Sequence, residues 1–208
     1  MNELTEIAQK LEAGDSQAVT AAIEQAITGQ IPAATILNEG LIAGMNVIGR
    51  RFKAGEIFIP NVLIAARAMN AGIALLEPRL AADGIKPVGK LLIGTVQGDL
   101  HDIGKTLVNI LFKGAGFEII DLGVNVPAEK FLQAARAEKP DLIGMSALLT
   151  TTMLNMESCI RQLRASDVTA TIIIGGAPTS QKFAAKINAD LWAASAADGV
   201  ELAKQAVA

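Results

Sequence analysis

Residues that commonly hold metal ions or form cross-links are scarce in this chain. Its 208 residues include one Cys, one His and one Trp, and Tyr is missing altogether. One Cys excludes an intrachain disulfide and a Cys₄ or Cys₂His₂ zinc site. One His excludes a centre built on several histidines of a single chain. Any imidazole chemistry must therefore come from His101.

Charge and hydropathy exclude further classes of protein. The net charge is −3 and the pI about 5.3, so neither nucleic acid nor an anionic membrane is expected as a partner. The mean hydropathy of +0.39 suggests a membrane protein, but each apolar run is broken by a charged residue or Asn before about 18 residues. The acidic start, Met1–Glu6, does not resemble a signal peptide. A cytoplasmic protein with an Ala-packed core is predicted.

The first part of the chain has the periodicity of amphipathic helices. Apolar stripes begin at Leu4 and Val19, a third helix follows Pro32, and Pro60 opens a fourth that is predicted to close at Glu77-Pro78. Short connections favour a four-helix bundle. Residues 81–89, rich in Gly, Pro and polar residues, are predicted to be a linker.

Beyond this linker, short apolar runs alternate with helical segments. This pattern is typical of a parallel sheet covered on both faces, and predicts a five-stranded, doubly wound α/β domain with flavodoxin-like strand order. The predicted domains are residues 1–85 and 86–208. The predicted strands are Lys90–Val96, Phe117–Leu122, Asp141–Ser146, Thr171–Gly175 and, more weakly, Ala189–Trp192.

The loop after the first predicted strand contains the only His. Ligands of open α/β sheets bind beyond the carboxyl ends of the strands. Asp99 is close enough along the chain to accept a proton from Nδ1 of His101 and leave Nε2 free. One imidazole cannot hold a bare transition metal, but it can serve as an axial ligand to a metal held by a macrocycle. The alternative is an ordinary surface or capping His.

Two more strand ends are unusual. Ser146 and Thr150–Thr152 place four hydroxyl groups after the third strand, which is more than one helix cap needs. The turn Gly175-Gly176-Ala177-Pro178 follows the fourth strand and has room for a flat group. A large cofactor with a polar tail would use both loops.

Together these residues resemble a known signature. The stretches Asp99-Leu100-His101-Asp102-Ile103-Gly104, Ser146-Ala147-Leu148 and Gly175-Gly176 are similar to the cobalamin-binding signature of B12-dependent methyltransferases and mutases. Arg51–Pro60, continued by Ala65–Met69, resembles the helical cap of corrinoid proteins and methionine synthase. The resemblance covers nearly the whole chain and implies cobalamin, in its methyl form when loaded, as the cofactor.

The resemblance also implies roles for individual residues. His101 would be the lower cobalt ligand in place of the benzimidazole (the base-off, His-on mode), with Asp99 as its hydrogen-bond partner and Thr152 as the hydroxyl of the same relay. Trp192 stands where the family often has Tyr. Phe58 and Met69 are candidates for the upper corrin face, with helix packing as the alternative. The implied cofactor-binding set is Gly98, Asp99, His101, Asp102, Ile103, Gly104, Ser146, Leu148, Thr150, Thr152, Gly175, Gly176 and Ala177.

The function implied is that of a corrinoid methyl carrier. Such a protein accepts a methyl group through a substrate-specific methyltransferase (methylamine, methanol, aryl methyl ether or betaine type). It delivers the group through a second methyltransferase to tetrahydrofolate or a thiol, and a reductive activase is a further implied partner. Binding and release of His101 would accompany methylation and demethylation. No substrate pocket of its own is evident, so the chain is expected to be a non-catalytic or co-catalytic subunit.

Three alternatives remain open. A cobalamin-dependent sensor would share the fold, but a helix-turn-helix with a basic face is not evident. The B12 subunit of an adenosylcobalamin mutase would share the Asp-x-His-x-x-Gly motif without the helical cap. In a flavodoxin-like binding domain, His101 would be incidental. Binding of hydroxocobalamin separates this last case from the others.

Overall fold

The computed structural model describes residues 3–208 and divides the chain into two compact units. One unit runs from the first described residue to Pro87 and includes Gly114–Gly116. The other comprises Val88–Lys113 and Phe117–Ala208.

The first unit is entirely helical. The long third helix is continuous from residue 33 to residue 53, with a π-helical segment in its middle, so the unit has the four helices expected from the sequence. Its elements are α1 (Glu3–Glu12), α2 (Ser16–Thr28), α3 (Ala33–Thr35), the π-helical Ile36–Ile42, α4 (Ala43–Lys53) and α5 (Ile59–Ala82).

The last helix of this unit corrects one prediction. Its start agrees with the sequence, since Pro60 lies in the first turn and the Asn61 side chain accepts a hydrogen bond from the N–H of Phe58 at 3.1 Å. Its predicted end at Glu77-Pro78 is wrong, because α5 continues to Ala82. Pro78 removes a single N–H donor near the end of the helix, and the remaining turns tolerate this loss.

Helix α5 is also the only helix within residues 3–208 that is long and apolar enough to span a membrane. An 18-residue window of α5 has a mean hydropathy of 1.5, and 39% of that window is buried. Length and composition alone are weak evidence, because the core helix of a folded bundle passes the same test.

The second unit is a parallel sheet with helices on both faces, confirming the predicted fold class. The strand order is β2-β1-β3-β4-β5 and every pairing is parallel, which is the flavodoxin-like order. The strands are β1 (Lys90–Thr95), β2 (Glu118–Asp121), β3 (Leu142–Ser146), β4 (Thr171–Gly175) and β5 (Leu191–Ala193). The helices are α6 (Ile103–Gly114), α7 (Ala128–Glu138), α8 (Leu154–Arg164), α9 (Gln181–Lys186) and α10 (Ala196–Ala206).

One face of the sheet carries the main apolar core of this unit. Leu92 of β1 and Ile143 of β3 are completely buried and pack with Phe131 of α7 and Ile160 of α8. The strand order reverses between β1 and β3. Ligands of such sheets bind beyond the carboxyl ends of strands at this reversal, where the loop with His101 begins.

Cys159 of α8 lies in this core with 2% of its surface exposed. Burial, together with the negative charge of Glu129, raises the pKa of its thiol to about 12. The thiolate is the reactive form, so we expect native protein at neutral pH to resist an aromatic disulfide reagent. One thiol per chain should be titrated after denaturation. Rapid labelling of the native protein would contradict the buried position of Cys159.

Candidate functional site

The imidazole of His101 is oriented by a buried carboxylate. Nδ1 of His101 lies 2.7 Å from Oδ1 of Asp99, and the N–H of His101 donates to the same oxygen at 3.0 Å. The Asp99 side chain is fully buried, whereas half of the His101 side chain is exposed. With Nδ1 engaged by a carboxylate, the imidazole carries its proton there and directs the Nε2 lone pair away from Asp99.

Asp99 is held in turn by the loop after β3. Its Oδ2 accepts hydrogen bonds from the N–H of Leu148 at 2.8 Å and from the Thr152 hydroxyl at 2.6 Å. Burial opposes ionisation of Asp99, but the hydrogen bonds from Thr152, Leu148 and His101 outweigh it and lower the pKa of this carboxyl. Asp99 is therefore a fixed anion that receives four hydrogen bonds from three residues.

Two asparagines hold the backbone before Asp99 in place. The Asn125 side chain accepts from the N–H of Gly98 at 2.7 Å, and the Asn155 side chain donates to the carbonyl of Gln97 at 2.7 Å. Neither asparagine was identified from the sequence, because Asn125 lies in the loop after β2 and Asn155 in the first turn of α8, both far along the chain from the residues they contact.

A buried lysine holds the other end of the His101 loop. Nζ of Lys105 lies 2.8 Å from Oδ1 of Asp102 and 2.5 Å from Oδ2 of Asp121, and its side chain is 1% exposed. Burial opposes the charged form of Lys105, but the bonds with Asp102 and Asp121 outweigh it and raise the pKa of the ammonium group. Asn109 also donates to Asp121 at 2.7 Å. This cluster joins the start of α6 to the end of β2, and the sequence analysis did not identify it.

A cavity of about 410 Å³ lies between the second face of the sheet, α6 and α10. Its walls are mainly apolar, and no charged side chain lines it. Of the predicted site residues, Gly104, Ser146, Gly175, Gly176 and Ala177 belong to its lining. The other lining residues are Leu91, Ile93, Leu107, Val108, Phe112, Gly144, Met145, Ile173, Ile174, Thr179, Trp192, Ala193, Ala194, Ser195, Ala196 and Gly199.

Of two glycines that line this cavity, one is required by the local backbone and the other is not. Gly176 has φ +117°, and a Cβ there would lie 1.9 Å from the carbonyl oxygen of Ala147, so the turn itself requires glycine. A Cβ on Gly104 would meet nothing within 4 Å. The packing of this unit therefore does not require glycine at position 104, and a larger side chain would extend into open space.

The predicted site residues fall into three groups. Asp99, His101, Thr152 and the backbone of Leu148 form the hydrogen-bonded relay, while the five residues named above line the cavity. The third group consists of Gly98, Asp102, Ile103 and Thr150. Gly98 is held by Asn125 and Asp102 is paired with Lys105, whereas Ile103 and Thr150 are exposed. Direct contact of any of these residues with a cofactor stays a prediction.

The candidates on the helical unit differ in exposure. Phe58 is 70% exposed, whereas Met69 is 2% exposed and lies in the core of that unit. Met69 therefore packs inside the helical unit, which was the alternative to contact with the corrin. Phe58 remains accessible to a ligand.

The chemistry of the site fits one metal bound through a macrocycle. Within residues 3–208, no group of three or more His, Cys, Asp or Glu side chains could hold a bare metal ion. His101 offers a single oriented ring nitrogen, and the open space at Gly104 leads into an uncharged cavity. A corrinoid bound without its own lower base would take one nitrogen ligand from the protein and would need room for its displaced tail, and the residues present fit both conditions.

Comparison with known proteins decides the family. Two family models, each described as a B12 binding domain, match residues 3–77 and 89–201. This chain belongs to the B12-binding corrinoid proteins. It is 40% identical to a corrinoid protein of Desulfitobacterium hafniense over 210 residues, covering 99% of this chain and 97% of that protein. It is also 40% identical to the dimethylamine corrinoid protein of Methanosarcina barkeri, covering 99% and 97%.

Solved structures agree with this assignment. The methanol:cobalamin methyltransferase complex MtaBC from Methanosarcina barkeri contains a chain with a TM-score of 0.88 and 30% identity, covering 99% of this chain and 79% of that one. A cobalamin-binding protein from Desulfitobacterium hafniense gives a TM-score of 0.82 and 29% identity, with coverage of 99% and 98%. The cofactor of this corrinoid protein is accordingly a corrinoid, and its cobalt chemistry is methyl transfer.

Proposed function

We propose that this corrinoid protein binds its cofactor base-off and His-on, and carries a methyl group between two methyltransferases. The observation that supports this most directly is the half-exposed His101 ring, oriented by the buried Asp99. The adjoining uncharged cavity would receive the nucleotide tail displaced from cobalt by the imidazole. The bound corrinoid supplies the cobalt centre that accepts and donates the methyl group.

In this mechanism the protein acts through the orientation of the His101 imidazole and the position of its proton. Asp99 holds the proton on Nδ1 of His101, so that Nε2 presents a lone pair for the cobalt. A negative Asp99 also increases the electron density on the ring, which strengthens the imidazole as a ligand. With Nε2 unbound, the His101 ring would be free to accept a proton there, and the Asp99 carboxylate would hold the ring through Nδ1.

Thr152 would complete the proton relay. Its single hydroxyl proton faces two acceptors, Oδ2 of Asp99 at 2.6 Å and the carbonyl oxygen of Leu149 at 3.0 Å. Rotation of the hydroxyl toward Leu149 would remove one hydrogen bond from the Asp99 anion, and rotation back would restore it. Thr152 would thereby adjust how strongly the Asp99 carboxylate attracts the Nδ1 proton of His101.

The names of related proteins support the proposed partners of this protein. Several similar proteins are named dimethylamine or trimethylamine corrinoid proteins, and a similar structure belongs to a methanol:cobalamin methyltransferase complex. We propose a substrate-specific methyltransferase of this kind as the methyl source. A second methyltransferase would transfer the methyl group to tetrahydrofolate or a thiol, and a reductive activase would restore the reduced cobalt. A cytoplasmic location follows from these partners.

We also propose that residues 1–85 shield the methyl-bearing face of the corrin and that residues 86–208 bind the lower face and the tail. Phe58, an exposed aromatic side chain of the helical unit, would be suited to pack against the upper face.

Replacing His101 by alanine tests the axial ligand directly. The backbone of His101 would still donate to Asp99 and accept from Thr95, and Asp99 would still receive the bonds from Leu148 and Thr152. The fold should therefore persist. EPR spectra of the Co(II) form should show the superhyperfine coupling of one protein nitrogen in the native protein, and H101A should lose it.

Isotope labelling makes this test specific, because the cofactor's own base also contains nitrogen. In uniformly ¹⁵N-labelled protein with unlabelled cobalamin, a protein ligand gives a doublet splitting, whereas the cofactor base gives a triplet. A triplet in the labelled native protein would refute His-on binding. Because the chain has one His, a doublet that disappears in H101A can come only from His101.

A further inference from the structure

The side chains that line the cavity carry very few hydrogen-bonding groups. Of its 21 lining residues, the side chains with oxygen or nitrogen atoms are those of Ser146, Thr179, Trp192 and Ser195. None of these side chains is charged. The wall that α6 contributes is apolar and includes Leu107 and Val108.

Three of the four polar side chains are already committed within the protein. The Thr179 hydroxyl donates to the carbonyl of Gly176 at 2.7 Å and accepts from Nε1 of Trp192 at 2.9 Å. The Ser195 hydroxyl caps α10, since it donates to the carboxylate of Asp198 at 2.7 Å and accepts from its N–H at 3.1 Å. These donor protons are therefore not available to a ligand.

Ser146 is the exception. Its hydroxyl, at the carboxyl end of β3, has no hydrogen-bond partner among residues 3–208. The side chains of the cavity thus offer one uncommitted donor, while Thr179 and Ser195 retain only acceptor capacity.

From this inventory we propose that the cavity selects the base of the corrinoid tail, favouring a benzimidazole over a purine. The proposal rests on the proposed function, because it requires the tail to enter this cavity. A dimethylbenzimidazole presents methyl groups and a single free ring nitrogen, which one hydroxyl can satisfy. Adenine carries several unsubstituted ring nitrogens, which are acceptors, and among these side chains only Ser146 has a proton to donate to them.

Each polar group that is buried without a partner weakens binding by a factor of about 5 to 150, and adenine presents more than one such group. Apoprotein should therefore bind cobalamin at least about tenfold more tightly than the matching adenine-based cobamide. Selectivity arises here from the walls of Leu107, Val108 and Phe112, and from the internal hydrogen bonds that occupy Thr179 and Ser195.

The chain provides its own probe for this measurement. Trp192 is the only tryptophan and lines the cavity, so a change in tryptophan fluorescence comes from this one residue. Corrins absorb where indole emits, so binding should quench this signal. Apoprotein would be titrated with cobalamin, the adenine-based cobamide, and cobinamide, which lacks the nucleotide tail.

The expected order of affinity is cobalamin, then the adenine-based cobamide. Equal affinity of these two corrinoids would overturn the proposed selectivity while leaving corrinoid binding intact. Cobinamide that binds as tightly as cobalamin would show that the base makes no use of the cavity, and would also overturn it. Failure of every corrinoid to bind would instead refute the proposed function.

A variant that adds one hydroxyl to the wall tests the mechanism of selectivity. In V108T the new side chain keeps the branched shape of valine. Its hydroxyl can rotate away from the carbonyl one helical turn earlier and donate to a ring nitrogen of the purine. The ratio of the two affinities should fall several-fold, through tighter binding of the adenine-based cobamide.

The matched control is V168T. Val168 is also half-buried in the α/β unit but does not line this cavity. Its substitution should leave the affinity ratio at the native value, and thermal unfolding of both apoprotein variants would show that they are folded. A V108T ratio equal to that of V168T would refute the assignment of selectivity to this wall.

Discussion

Replacement of Gly104 by leucine should abolish corrinoid binding without unfolding the apoprotein. A Cβ at this position meets nothing within 4 Å, and Gly104 lines the cavity proposed for the cofactor tail. Leucine is also a better helix former than glycine in the first turn of α6, so the apoprotein should keep its stability or gain up to about 1 kcal/mol. We expect the affinity for cobalamin to fall by more than about 100-fold, as in other sites where a side chain occupies the ligand's space.

Alanine at the same position is the matched control for size. G104A adds one methyl group and should weaken binding less than G104L, whereas both variants should unfold at or above the native denaturant concentration. Equilibrium dialysis against cobalamin measures the first quantity, and urea unfolding followed through Trp192 measures the second. Native-like binding by G104L would show that the cofactor does not approach the start of α6.

Replacement of Asp99 by asparagine should destabilise the α/β unit strongly. Each carboxylate oxygen accepts two hydrogen bonds, from His101 on one side and from Leu148 and Thr152 on the other. An amide has one oxygen, so two buried donors lose their acceptor and an N–H₂ group faces them instead. We expect the free energy of unfolding of the apoprotein to fall by about 2–4 kcal/mol.

The control for this substitution is D167N. The Asp167 side chain is 79% exposed and pairs with the exposed Arg136 at 3.0 Å, so its loss should cost no more than about 0.5 kcal/mol. Urea unfolding of the apoproteins, followed through Trp192 fluorescence, compares the two variants in the unit that contains both residues. A D99N variant as stable as D167N would mean that the hydrogen bonds around Asp99 contribute nothing to folding.

Several features were predictable because they depend on local pattern. Apolar runs bounded by turn residues located the five strands to within one residue at nearly every end, and Thr171–Gly175 agrees at both ends. The fifth strand was displaced, to Leu191–Ala193, because its run is short and only half-buried. The helical continuation past Pro78 was missed, because a proline inside a helix usually ends it, whereas α5 continues for one more turn to Ala82.

The pairing of Asp99 with His101 was predicted for a similar reason. The two residues are separated by a single position, so a tight loop brings the carboxylate to Nδ1 whatever the rest of the fold does. The contact from Thr152 was expected only through resemblance to the family. The N–H of Leu148, which donates to the same carboxylate, carries no signal in the identity of its side chain.

The sequence by itself determined that a single imidazole must act alone and that a parallel sheet presents it at the carboxyl edge of β1. Composition and periodicity encode both facts locally. Only the tertiary structure decided that Lys105 is buried against Asp121, and that the Thr179 hydroxyl accepts a hydrogen bond from Trp192. These contacts join residues 16 and 13 positions apart, so their energetics exist only once the sheet has brought the segments together.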